Sequence, residues 1–237
     1  MTTKDRLKTK DRVKTKDRIA RIALPLALLI AGTVWSTLQI SDSVTETTVG
    51  KAPQQAQDSR VRPLKKDEIL PADQWPNACV LVTEEDIRAI LPDAEEIEAE
   101  PPSQVYAPSV KEFAADPSWK ESNRAEYGRC DYGMKLPGER YAATRVWVRV
   151  DAVADPALIA GYYEEVTLSG DDKLFGADAC ANSGGIEESW TCRKGPLMFT
   201  VGGQTTATFE GRFDAAPWVW RDDVAPEFVR AVTAKVH

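Results

Sequence analysis

Hydrophobic and polar positions divide the chain into blocks of different pattern. Residues 22–41, IALPLALLIAGTVWSTLQIS, carry no charge. As an α-helix, residues 22–40 measure ~29 Å, close to the ~30 Å hydrocarbon core of a bilayer, so the pattern predicts a transmembrane helix there. Ahead of it a hexapeptide repeats three times, TKDRLK, TKDRVK and TKDRIA. Six residues turn a helix by ~600°, so Leu7, Val13 and Ile19 point in three directions and form no apolar stripe. Residues 1–21 therefore read as a basic tail beside the membrane. Behind the apolar block, residues 41–71 are mostly polar, with neither periodicity nor aromatic residues. Such a stretch buries too little apolar surface to offset its ordering entropy and reads as a flexible linker reaching ~30 Å.

From residue 72 the pattern becomes that of a folded domain. Thr83 is a good N-cap for a short helix, with Val82 and Ile87 placed as a hydrophobic staple and Pro92 as its stop. An acidic run over residues 93–100 reads as a solvated edge rather than a calcium loop. Residues 130–136, a Pro137-Gly138 turn and residues 141–151 predict a β-hairpin. In its second strand Val146, Val148 and Val150 share the core face, and Arg145, Trp147 and Arg149 share the other. Asp155-Pro156 opens a helix with Leu158, Ile159, Tyr162, Tyr163 and Val166 on its apolar face. Two more strands follow over residues 189–193 and 197–201, joined through Lys194-Gly195-Pro196. Trp218-Val219-Trp220 reads as one further strand with both indoles on one side. Residues 223–236 read as a closing helix with Val224, Phe228, Val232 and Val236 in line. The predicted class is α+β, an antiparallel sheet with a few packed helices, in one domain over residues 72–237.

Charge then gives the chain an orientation. Residues 1–21 hold nine Lys/Arg and three Asp, and the rest of the chain holds 21 Lys/Arg and 34 Asp/Glu. By the positive-inside rule the basic head stays in the cytoplasm and the acidic body is exported. Retention of the 22–40 segment as an anchor is favoured over cleavage after Ser36, because no Ala-x-Ala site is present. Cys79, Cys130, Cys180 and Cys192 all lie in the exported part, and none stands in a C-x-x-C pair. Four cysteines in an oxidising compartment imply two disulfides with three possible connectivities. Cys79 with Cys130 and Cys180 with Cys192 are favoured because each closes a local segment.

The same residues narrow the chemistry. His237 is the single histidine, which removes Ser-His-Asp and Cys-His catalysis and His-based zinc sites. No phosphate-cradling glycine motif is present. Nucleic acid is an improbable ligand for so acidic a body. No cofactor, metal site or catalytic residue is assigned. Carboxylate pairs such as Glu164/Glu165 and Glu187/Glu188 suit glycoside hydrolysis in principle, but sequence picks no pair. The candidate ligand-binding residues are Arg145, Trp147 and Arg149 on the hairpin, and Trp218 and Trp220 near the end of the chain; aromatic and guanidinium faces of this kind hold sugars or anions.

The segment NACVLVTEEDIRAIL, with Cys130-Asp131-Tyr132 further on, resembles the opening of actinobacterial cell-envelope domains of unknown function, many of them lipoproteins. The chain departs from that pattern by an extra Val82, by Asp131 between cysteine and aromatic, and by having no lipid-accepting cysteine. The resemblance implies an exported α+β domain and carries no activity. Together these readings give a single-pass envelope protein, held in the membrane by residues 22–40, whose outer domain binds an envelope partner or a cell-wall ligand without catalysis. The alternatives are a carboxylate-dependent wall hydrolase and a domain secreted after cleavage.

Overall fold

The computed structural model describes residues 46–53, 61–106, 124–139, 143–167, 173–183, 188–210 and 216–236. The basic tail and the 22–40 segment lie outside the described residues. Among those described, no helix is long and apolar enough to cross a membrane. Residues from Thr45 onward form a unit of their own.

Period-two alternation organises that unit. Strands β1 (Glu95–Ala99), β2 (Ser103–Tyr106), β3 (Arg124–Lys135), β4 (Thr144–Val153), β5 (Ala179–Ser183), β6 (Glu188–Lys194) and β7 (Leu197–Gln204) form one antiparallel sheet in the order β1-β3-β4-β7-β6-β5, with β2 also paired to β3. The hairpin and the β6–β7 pair stand where the alternation places them, though β3 begins earlier and β7 runs on through Gly202-Gly203-Gln204. The acidic run is the exposed edge strand β1. Val146, Val148 and Val150 are fully buried on the inner face, with Cys130, Tyr132, Phe199 and Val201.

Helix α1 (Glu84–Ile90) covers part of that face, starting from a capping box. Thr83 Oγ1 accepts the N–H of Asp86, and Asp86 accepts the N–H of Thr83 at 2.7 Å. Val82 and Ile87 are fully buried beside it, and the Tyr132 hydroxyl donates to the Val82 carbonyl at 2.8 Å. Helix α2 (Pro156–Thr167) crosses the outer face at one end, packing Ile159 and Tyr163 on Ala152, Ala179 and Met198.

Two sequence expectations are corrected. Residues 216–220 are helical, not a strand: α3 (Ala216–Val219) runs into a π-turn, Trp220–Val224, and then α4 (Ala225–Thr233). The Ala225 N–H reaches back to the Trp220 carbonyl, five residues earlier. Pro226 follows at once; it lacks a donor and its ring crowds the carbonyl four residues back, and a wider turn accommodates both. Trp218 and Trp220 therefore point apart. Trp220 is 1% exposed and stacks on Phe228 with centroids 6.0 Å apart, whereas Trp218 is 55% exposed. Val224, Phe228, Val232 and Val236 are buried together as the helical spacing predicts.

The second correction concerns the linker, because parts of residues 41–71 belong to the fold. Thr47 bridges in parallel to Phe209 and is buried, Gly50 N–H donates to the Ile90 carbonyl at 2.8 Å, and Leu70 N–H donates to the Val153 carbonyl at 2.9 Å. A segment too polar to form its own core is ordered here by backbone hydrogen bonds to a finished domain. Composition alone does not reveal such partners.

Both disulfides join the favoured partners, Cys79 to Cys130 and Cys180 to Cys192, and no described cysteine is free. Such bonds persist in oxidising compartments, which fits an extracellular domain. The first closes 51 residues and the second 12. On chain entropy they contribute ~4 and ~3 kcal/mol respectively. Replacing Cys79 and Cys130 by alanine is thus expected to lower the guanidinium midpoint more than replacing Cys180 and Cys192; the reverse order would show that native contacts, not loop length, set their worth.

Candidate functional site

Beyond the reach of α2, the outer face of the sheet is polar, and strand register dictates what stands there. One row across five strands reads Asp131, Trp147, Gly202, Ser189 and Ser183; the next reads Arg129, Arg149, Thr200, Thr191 and Ala181. Alternation puts every second residue of each strand outward, and the antiparallel ladders align them. Apart from Asp131 and Gly202, these rows join Asn182 and the last turn of α2, Val166 and Thr167, in lining a cleft of about 550 Å³. That volume lies in the usual range of small-ligand sites, ~300–1,000 Å³.

The indole of Trp147 forms the floor. It lies flat over β7 because Gly202 has no side chain; a Cβ there would come within 2.2 Å of Cζ2. The Arg129 guanidinium sits 4.5 Å from the ring centroid and that of Arg149 5.9 Å away, so the ring is covered by cations and only 7% exposed. Its Nε1 is buried and has no hydrogen-bond partner. Each arginine holds a carboxylate two residues along its own strand. Arg129 grips Asp131 with two bonds of 2.8 and 2.6 Å, and Arg149 Nε bonds Asp151 at 2.5 Å. Thr200 donates to the other Asp151 oxygen at 2.5 Å. Burial pushes the Asp151 carboxyl above its usual range, against the pull of Arg149 and Thr200. Hydroxyls complete the cleft in pairs, Ser183 with Ser189 at 2.5 Å and Thr191 with Thr200 at 3.0 Å.

Of the candidate residues, Trp147 and Arg149 meet in this cleft. Arg145 shares their face one row further out, where it pairs with Glu100 at 3.4 Å. Trp218 and Trp220 belong elsewhere: Trp218 stacks with Arg221 at 4.5 Å, and Trp220 lies over Gly203 on the inner face. Sequence reasoning missed Arg129, Asp131, Asp151, Thr191, Thr200 and the serines. The usable signal was Arg129 and Asp131 alternating with the core residues Cys130 and Tyr132, and a Gly-Gly pair inside a strand, which marks close approach of other groups. Glu164 and Glu165 are exposed on α2, and Glu187 lies outside the described residues.

Two other depressions, about 400 and 570 Å³, flank the strap at residues 46–53 and share Lys51, Phe175, Glu227 and Arg230. The three charged groups they share are engaged with one another. Glu227, 2% exposed, accepts from Lys51 Nζ and the Ala52 N–H at 3.0 Å each and from Arg230 at 2.6 Å. Burial alone raises its carboxyl, but these partners outweigh burial and hold it below the usual range. Asp93 is likewise lowered by the N–H and hydroxyl of Thr48, at 2.8 and 2.7 Å. Carboxyls depressed in the folded state stabilise the strap above their unfolded pKa, and that contribution is lost as pH falls through the folded value. The amide resonances of Thr48 and Ala52 are expected to titrate with midpoints below those of ordinary Asp and Glu carboxyls, and Glu227→Gln to abolish the step at Ala52 alone. Midpoints at or above the ordinary values would contradict the assigned contacts.

Among the described residues no group of three His, Cys, Asp or Glu is placed to hold a metal ion. Compared with family models, with curated proteins and with solved structures, the chain matches none.

Proposed function

We propose that this chain is a single-pass envelope protein, anchored by residues 22–40 with its head in the cytoplasm, whose disulfide-locked domain binds a ligand or partner outside the membrane without catalysis. The outer-face cleft carries the reading: it gathers a buried indole, two guanidinium groups and four hydroxyls on adjoining strands, while most of the other large apolar side chains among the described residues are packed away. The charge asymmetry about the apolar segment, the disulfides and the resemblance to actinobacterial envelope domains support the location. The test is co-sedimentation of the full chain, in detergent, with isolated cell envelopes. Ser183 is exposed at the cleft rim, so Ser183→Trp fills the cleft without touching the core. The native chain is expected to sediment and the variant to stay in solution; equal sedimentation of both would remove the cleft from the proposal.

One observation favours a second reading, a wall-polysaccharide hydrolase: beside the cleft residues Arg149 and Thr200, burial raises the Asp151 carboxyl in the direction a general acid needs. The other carboxylate held by a cleft arginine is Asp131, opposite Trp147 and so four residues away along the strand direction. That places their backbones ~13 Å apart, against the ~5–9.5 Å between the carboxyls of a hydrolytic pair. Release of sugar from purified wall by the native chain, lost in Asp151→Asn, would establish the hydrolase instead.

A further inference from the structure

We infer that the outer-face cleft takes a neutral glycan, held edge-on by hydrogen bonds rather than by ring stacking; this rests on the cleft being a binding site. Each guanidinium that lines it is paired with a carboxylate beside it, Arg129 with Asp131 and Arg149 with Asp151. An anionic ligand meets a carboxylate beside each guanidinium and finds no net positive field, whereas a sugar diol finds an acceptor next to a donor. The serine pair and Thr191 have the same double character, since each of these hydroxyls both donates and accepts and can turn from its neighbour to a ligand hydroxyl.

Stacking is closed off because both faces of Trp147 are occupied, one by Gly202 of β7 and the other by Arg129. What the indole keeps is its N–H, which is buried without a partner. A buried donor left unsatisfied is costly, and a ligand oxygen that shifts the Arg129 guanidinium aside supplies the missing acceptor. An apolar ligand satisfies none of these groups.

The test uses the full chain in a detergent without a sugar headgroup, titrated calorimetrically with neutral oligomers of glucose, mannose, galactose and arabinose and with oligogalacturonate. At least one neutral oligomer is expected to bind, with a Kd unchanged between low and high salt because no ion pair forms. Trp147→Phe, which keeps a ring and removes the N–H, is expected to weaken it about three- to tenfold, and Thr191→Val similarly. The melting temperature of each variant separates lost binding from lost folding, and Ser183→Trp should abolish binding in a fully folded protein. Tighter binding of oligogalacturonate that fades with salt would overturn the neutral class while leaving the cleft a binding site. Failure of every neutral oligomer to bind would overturn the inference, and envelope sedimentation, judged by Ser183→Trp, would still decide the broader proposal on its own.

Discussion

Gly203→Ala is expected to be among the most damaging single-methyl changes in the domain. A Cβ at this position would fall 2.0 Å from Cζ2 of Trp220 and 2.5 Å from the carbonyl oxygen of Arg145. Neither neighbour can yield cheaply. The carbonyl belongs to β4, which is locked to β7 by the ladder through Val146 and Gly203, and Trp220 is wedged against Phe228 with its Nε1 donating to the Glu188 carbonyl at 3.3 Å. Overpacking a tight core costs ~1–3 kcal/mol and more where backbone must move, so a loss of ~3 kcal/mol is expected. For a domain of this size that lowers Tm by ~6–12 °C, measured by calorimetry under oxidising conditions. Gly133→Ala is the control, because a Cβ there meets nothing within 4 Å, and it should stay within ~0.5 kcal/mol of the native chain. Equal melting of the two variants would mean that Trp220 does not lie on β7.

Lys235→Met is expected to cost ~3–5 kcal/mol, the usual penalty for breaking a buried ion pair from one side. Lys235 and Asp86 are each 4% exposed and bonded to one another, and Lys235 also donates to the Leu81 carbonyl at 3.2 Å. The pair ties the turn after α4 to the first turn of α1, and Asp86 carries the capping box as well. Removing the cation leaves a buried carboxylate whose neighbours are the N–H and hydroxyl of Thr83. Asp86→Asn combined with Lys235→Met removes both charges, so the double variant is expected to be ~1–3 kcal/mol more stable than the two single losses added together. Strict additivity in denaturant melts would show that the two groups do not touch.

What could be read from the chain follows the range of the interactions. The N-cap at Thr83, the valine alternation in β4 and the Pro156 helix start are set within a few residues, and they stand where the pattern puts them. The disulfide partners were favoured by closeness in sequence, and pairing of β5 with β6 brings Cys180 directly opposite Cys192. The misreading at Trp218-Val219-Trp220 came from taking two aromatics at spacing two as a strand. Burial of Trp220 against Phe228 and the π-turn ahead of Pro226 decide for helix, and both depend on what packs around them. The strap at residues 46–53 was illegible for a related reason, since its stability comes from Asp93, Ile90 and Glu227, far along the chain. The cleft was half visible: Arg149 and Trp147 alternate locally, but Arg129, Thr200, Thr191 and Ser189 join them only through the register of four strands.

Everything functional in this account requires the acidic body to face outward while the basic head stays inside. A membrane-impermeant amine-reactive label, applied to intact cells and read peptide by peptide, tests this directly. Lys66 is exposed and the Lys135 side chain is 60% exposed on the domain, whereas Lys4, Lys8, Lys10, Lys14 and Lys16 belong to the head. The account predicts that Lys66 and Lys135 react as fully before lysis as after it, and that the head lysines react only once the membrane is broken. Labelling of Lys66 and Lys135 only after lysis would contradict it.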